Sequence, residues 1–109
     1  MATTFKNKVV PNLGTATEEV LATNENARVT VVGFSLANTT NGTVLVDVEL
    51  QDESSVRGYY AKEIVIPPNT SLRVLNGGEK LILTPNNNLF VTVNVDDSVD
   101  AILSTVEIV

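Results

Sequence analysis

The sequence predicts an all-β protein: one antiparallel β-sandwich of jelly-roll or immunoglobulin-like type, with eight to nine strands. Three observations predict it. Apolar residues alternate with polar ones in short runs, as in 89–95, where Leu89, Val91, Val93 and Val95 lie on one side and Phe90, Thr92 and Asn94 on the other. The runs are separated at intervals of roughly 8–12 residues by turn chemistry such as PPNT, TPNNN and DDS. No stretch sustains a helical period over the roughly 12 residues an isolated helix needs.

Length and composition bound the rest. At 109 residues the chain is one domain, long enough to hide roughly two-thirds of its unfolded surface. There is no Cys, so no disulfide framework, thiolate metal site or cysteine nucleophile. His is absent too, removing the side chain that titrates near neutrality. The first residues, MATTFKNKVVPNLGT, lack an apolar signal core, and no run approaches the roughly 18 apolar residues of a membrane helix. The formal charge is −6, with seven basic residues scattered along the chain. Nucleic-acid binding draws on clustered Lys and Arg, so neither a nucleic-acid nor a membrane partner is expected.

Residues 1–12 form an N-terminal arm or edge strand preceding a sandwich domain at 13–109. Phe5, Val9 and Val10 supply apolar side chains, and Pro11 confines any strand to an edge or an end. The segment either lies on its own sheet or reaches to a neighbouring subunit. EEVLAT at 18–23 is too short for a stable helix and reads as a strand. Arg28–Asn38 is rich in β-branched residues, with Val32, Phe34 and Leu36 on one face and Val29 and Val31 on the other. Apolar residues on both faces suggest a central strand, and Gly33 suggests a bulge or a close backbone approach.

Asn41-Gly42 between two alternating runs predicts a hairpin from this strand into 43–52. There Val44, Val46, Val48 and Leu50 face inward while Thr43, Asp47 and Glu49 face out, with Leu45 breaking the polar side. QDESS is an exposed loop. Residues 56–66 return as a longer strand, bent at Gly58 and stopped by Pro67-Pro68. Tyr59 and Tyr60 are neighbours and point to opposite faces, one into the core with its hydroxyl at the rim, the other outward as an interface anchor. Gly77-Gly78 reads as a tight turn, since no helix follows to bind an anion. Asn38, Asn41 and Asn69 match the glycosylation pattern but read as turn residues.

Chemistry is hard to assemble from these residues. Ser and Thr have no His to act as base, and no lysine lies in an apolar stretch that would lower its pKa. Asp96, Asp97 and Asp100 share a turn, and Asp47, Glu49, Asp52 and Glu53 follow one strand and its loop. Glycoside hydrolysis needs two carboxyls facing across a cleft, and calcium loops follow a pattern absent here, so these acids read as solvated turn and surface charge. No catalytic residue, metal or cofactor is expected. Tyr60 with Phe90 could make a small aromatic platform for a glycan.

The motifs that remain are turns and core positions. FKNKVV opens the chain (Phe5, Lys6, Asn7); Gly33, Ala37 and Asn38 sit in the middle; Ile66 and Pro67 enter the PPNT turn and Ser71, Leu72, Gly77, Lys80, Leu81 and Leu83 follow it; Ser104, Glu107 and Ile108 close the chain. Over nearly its whole length this pattern resembles small structural proteins of tailed bacteriophages, of the marine and cyanobacterial phage type. TPNNNL departs from the Pro-Gly-Asp turn of that pattern, which touches only a turn. The resemblance implies a non-enzymatic virion component assembled in a host bacterial cytoplasm. It would be a capsid decoration or cement protein, with a neck, tail or baseplate component as the alternative and a glycan-binding module as a further one. Partners would be other virion subunits and further copies of the chain, as trimers if three-fold positions are decorated. The contacts expected are the arm residues Thr4, Phe5, Val9 and Val10 and the exposed tyrosine pair Tyr59 and Tyr60.

Overall fold

The computed structural model describes residues 2–75 and 79–109. Among the described residues there is no helix, and the chain forms β1 (Thr3–Leu13), β2 (Glu18–Ala22), β3 (Arg28–Asn38), β4 (Val44–Gln51), β5 (Arg57–Ile66), β6 (Ser71–Arg73), β7 (Leu81–Leu83), β8 (Asn88–Val93) and β9 (Val99–Ile108). The Gly77-Gly78 turn lies outside the described residues.

Two antiparallel sheets pack as a β-sandwich. Sheet A runs β1-β9-β3-β6, with β7 also paired to β3; sheet B runs β2-β8-β4-β5. The pairs are nested: first strand with last, β2 with β8, β3 with β6 and β7, β4 with β5. A single long hairpin wrapped across both sheets gives this order, which is jelly-roll topology rather than immunoglobulin-like.

The alternation predicts the core well. From sheet B, Val44, Val46, Val48, Leu89 and Val91 are wholly buried; from sheet A, Val31, Leu36, Val99, Ala101 and Leu103 meet them. Val95 lies beyond the end of β8 and is exposed, so the inward row stops at Val93. In β3 the two-faced pattern has a different cause from the one expected. The register slips between Val31 and Gly33, so both Val32 and Gly33 oppose Ser104. That bulge resets the parity: Val29, Val31, Phe34 and Leu36 all face inward, and Val32 is turned outward.

The Asn41-Gly42 turn does not close a hairpin. β3 belongs to sheet A and β4 to sheet B, so this turn carries the chain from one sheet to the other. Asn38, nearly buried, builds the corner. Its Nδ2 donates to the carbonyls of Gly42, Ile66 and Pro67, and its Oδ1 accepts from the amide and hydroxyl of Thr40. A local dipeptide signal is overruled because the inward row of β3 is already committed to sheet A.

The long strand over 57–66 is irregular in its middle rather than at Gly58, which pairs in register with Leu50. Its register with β4 slips twice, between Val46 and Val48 and between Val48 and Glu49. Glu63 there has a positive φ of 51° and gives its amide to Asp47 Oδ1 at 2.7 Å.

Candidate interaction surfaces

The residues that meet solvent are arranged as two outer faces and four sheet edges, at β1 and β6/β7 in sheet A and at β2 and β5 in sheet B. On the outer face of sheet B, Phe90 and Tyr59 are each covered by a cation. The Arg57 guanidinium lies 3.9 Å from the Phe90 ring centre, and Lys62 Nζ lies 4.4 Å from that of Tyr59. Arg57 also approaches Glu49 at 3.5 Å, and Lys62 approaches Asp47 at 4.0 Å. The apolar rings of this face are therefore capped by its own charges.

Tyr60 departs from the glycan platform. It packs against the core from the sheet edge, and its hydroxyl donates to Glu79 Oε1. Burial first, and then the Glu79 carboxylate, push its pKa up to about 12. Phe90 lies on the outer face under Arg57, so the two rings do not form one surface. The split of the tyrosine pair matches expectation: Tyr60 is the inward ring, and Tyr59 is the exposed one at 54%.

The N-terminal segment pairs with β9 from Thr3↔Ile108 through Val10↔Ala101 without a slip. Backbone bonds between Ala2 and Val109 close its end. The four residues singled out there divide between two faces. Phe5 and Val9 lie on the outer face, 80% and 60% exposed; Thr4 and Val10 point to the inner side, where only Val10 reaches the core. The sequence reading missed what lies beside them. Ile102 between buried Ala101 and Leu103, with Val106, Val32 and Ile82, extends the apolar outer face of sheet A across three further strands. The signal was present in AILSTVEIV, which is apolar at both parities.

The aspartates serve the backbone. Asp96 Oδ1 accepts from the Thr15 amide (3.0 Å) and hydroxyl (2.6 Å), and these bonds hold its pKa below the ordinary value. Asp100 accepts from the amide of Asn12, whose φ is +56° in the β1 bulge. Asp52 accepts from the amides of Ser54 and Val56 around Ser55, also at positive φ. Thus three of the acids expected at turns fix turns or bulges. Among the described residues no three acids gather as a metal-holding group. The surface depressions are shallow; one of about 330 Å³ is lined by Leu50, Val56, Arg57, Tyr59 and Tyr60.

No protein-family model and no curated protein sequence matches this chain. Solved structures share its fold. A subunit of the disulfide-linked pili of Bacillus endospore appendages superposes with a TM-score of 0.58 at 9% identity, over 96% of this chain and 86% of that one. A chain of the acid-stable capsid of Helicobacter pylori bacteriophage KHP30 superposes with a TM-score of 0.55 at 14% identity, over all of this chain and 89% of that one. A chain of the IBDV viral particle gives 0.54 at 7% identity over 96% of this chain, which spans only 30% of its length. At these identities the likeness is one of fold.

Proposed function

We propose that this protein is a non-enzymatic structural component of a bacteriophage particle, a capsid decoration or cement subunit that binds other capsid subunits. The observation that carries the reading is the bare jelly roll itself. Its whole length corresponds to most of a phage capsid chain, while Asp47, Asp52, Asp96 and Asp100 hold turns or bulges and the depression beside Tyr59 is shallow. A neck, tail or baseplate subunit remains the alternative, since each uses the same contacts.

Those contacts are backbone edges and exposed side chains. The free edge of β1 is straight from Thr3 to Val10, whereas the free edge of β5 is broken by two bulges and carries Lys62. Straight edges accept strands and bulged ones reject them. β1, with Thr4, Phe5, Val9 and Val10, is the side offered to a neighbouring subunit; Tyr59 and Tyr60 form a second, smaller contact. The same logic fits a fibre subunit, which the pilus likeness favours, though a chain without Cys has no disulfide with which to link copies.

The test is the position of the protein in purified particles, by mass spectrometry and cryo-electron microscopy. Many evenly spaced copies over the shell are expected. Few copies at one vertex would select the neck or tail alternative, and complete absence from particles would end the virion reading.

A further inference from the structure

We propose that the outer face of sheet A is a homotypic interface, on which two copies of this chain pack about a two-fold axis with their strands antiparallel. The inference does not depend on the virion reading.

Along β1 and β9 the face repeats its own chemistry about its middle; farther out, the same exchange sets Ile82 of one copy against Arg73 of the other. At its centre runs a row of small or polar residues, Asn7, Ser104 and Gly33, with Ser104 Oγ donating to Asn7 Oδ1 at 2.8 Å. Two residues to one side along the strands lies the pair Phe5–Val106, and two residues to the other lies Val9–Ile102. An axis along the central row, in the plane of the face, exchanges these pairs. Phe5 of one copy then meets Val9 of its partner, and Val106 meets Ile102. Isologous contacts require this self-complementarity.

The charges follow the same symmetry. Arg28 lies at one end of the face, paired in register with Ile108, and Asp100 lies at the other, paired with Ala37. The exchange brings Arg28 over Ala37 of the second copy, with Asp100 about one strand spacing, ~4.8 Å, to the side. An extended Arg spans that distance, so the dimer gains two cross-pairs. The face is also where an acidic chain meets itself with least repulsion. Its paired registers carry Arg28, Arg73 and Asp100, a sum of +1, while the chain totals −6, which leaves −7 elsewhere.

Size sets the strength. Eight paired residues at ~3.3 Å and four strands at ~4.8 Å give a face of roughly 26 by 19 Å, or about 500 Å² per copy. The total of about 1,000 Å² stands at the lower limit for a specific interface. The dimer is therefore weak alone, with a Kd on the order of micromolar to millimolar, and would be reinforced only where many copies are held together.

Sedimentation equilibrium on the full chain across that concentration range tests the proposal. A monomer–dimer equilibrium is expected, weakened about tenfold or more by Ile102→Glu and less by Arg28→Glu, with unchanged circular-dichroism melting. Ile102 is 46% exposed, so the fold tolerates the change; Phe5→Ser, at an 80% exposed site, serves if it does not. Because the chain has no Cys, Ser104→Cys introduces a unique thiol beside the axis. A short bis-maleimide should join two such copies but not two copies of Lys62→Cys, on the opposite face. A monomer at every concentration overturns the proposal. So does self-association that Ile102→Glu or Phe5→Ser leaves intact, or a trimer. Loss of particle binding without loss of the dimer would bear on the proposed function and not on this interface.

Discussion

The outer faces of the two sheets differ, although each is the outward half of an alternating pattern. On sheet B every large ring has a cation over it and every cation has a carboxylate nearby: Arg57 with Phe90 and Glu49, Lys62 with Tyr59 and Asp47. On sheet A, Phe5, Val9, Ile102 and Ile82 are exposed, with no such cover among the described residues. The edges repeat the contrast, bulged at β5 and straight at β1. On one side the large rings are covered by their own side chains, leaving single exposed residues such as Val65. The other leaves apolar area and backbone groups for something else to cover. A contiguous exposed patch of this kind marks an interaction site more often than it marks chance.

The contrast can be broken most sharply inside β9. Leu103 is fully buried and its neighbour Ile102 faces out. Leu103→Ala should cost about 2–5 kcal/mol in urea unfolding. Ile102→Ala should stay within about 0.5 kcal/mol for the isolated chain while weakening self-association. A large loss of stability at Ile102 would mean that the face is structural rather than free.

Next come the corners that join the sheets. A Cβ on Gly14 would lie 2.8 Å from Asp96 Oδ1 and 2.9 Å from the Asp96 Cα. Since part of that clash is with backbone, Gly14→Ala should cost about 1–3 kcal/mol. Asn38→Ala removes the side-chain donor to the carbonyls of Gly42, Ile66 and Pro67, of which Gly42 keeps the Thr40 hydroxyl, and should cost about as much. Either variant loosens both faces together, which thermal melting followed by self-association measurements would reveal.

Tyr60 and Asp96 make stability depend on pH at opposite ends of the scale. Asp96 has a lowered pKa, so its contribution is present above its ordinary 3.8 and is lost as pH falls through the lowered value. Asp96→Asn should flatten that acid limb. Tyr60 is raised from 10.0 to about 12, so its contribution is complete below 10 and is lost as pH rises toward 12. Urea midpoints across that window should fall for the native chain and fall less for Tyr60→Phe.

The smallest effect is on sheet B. Arg57→Ala removes one stacked cation and one exposed ion pair, worth about 0.5–1 kcal/mol. It also uncovers Phe90, making this face more like the other. If self-association then rises, the cation caps are what keep sheet B from associating.

Much of the architecture was legible before any coordinates. Alternation in 44–50 and 89–93 located the inward rows, and Gly33 located the bulge, because a period of two and a missing Cβ are local properties. The nested pairing was not legible. Asn41-Gly42 has hairpin chemistry, yet the turn crosses between sheets, since pairing partners are set by which buried rows can meet and not by the turn alone. The candidate surface was half legible. Phe5 and Val9 stood out as apolar residues in a polar segment, but Val32 shared the parity of Phe34 and Leu36 until the bulge turned it outward, and Ile82 and Ile102 join the face only through their register.

From the chain alone came what depends on neighbours in sequence: strands rather than helices, turns at the Asn, Gly and Pro clusters, and no nucleophile–base pair involving His or Cys. Only the tertiary structure decided which strand lies beside which, and hence which face keeps its apolar side chains in water. A side chain's parity is written in the sequence. Whether a second sheet covers that parity depends on contacts between residues up to about a hundred positions apart, such as Phe5 and Val106.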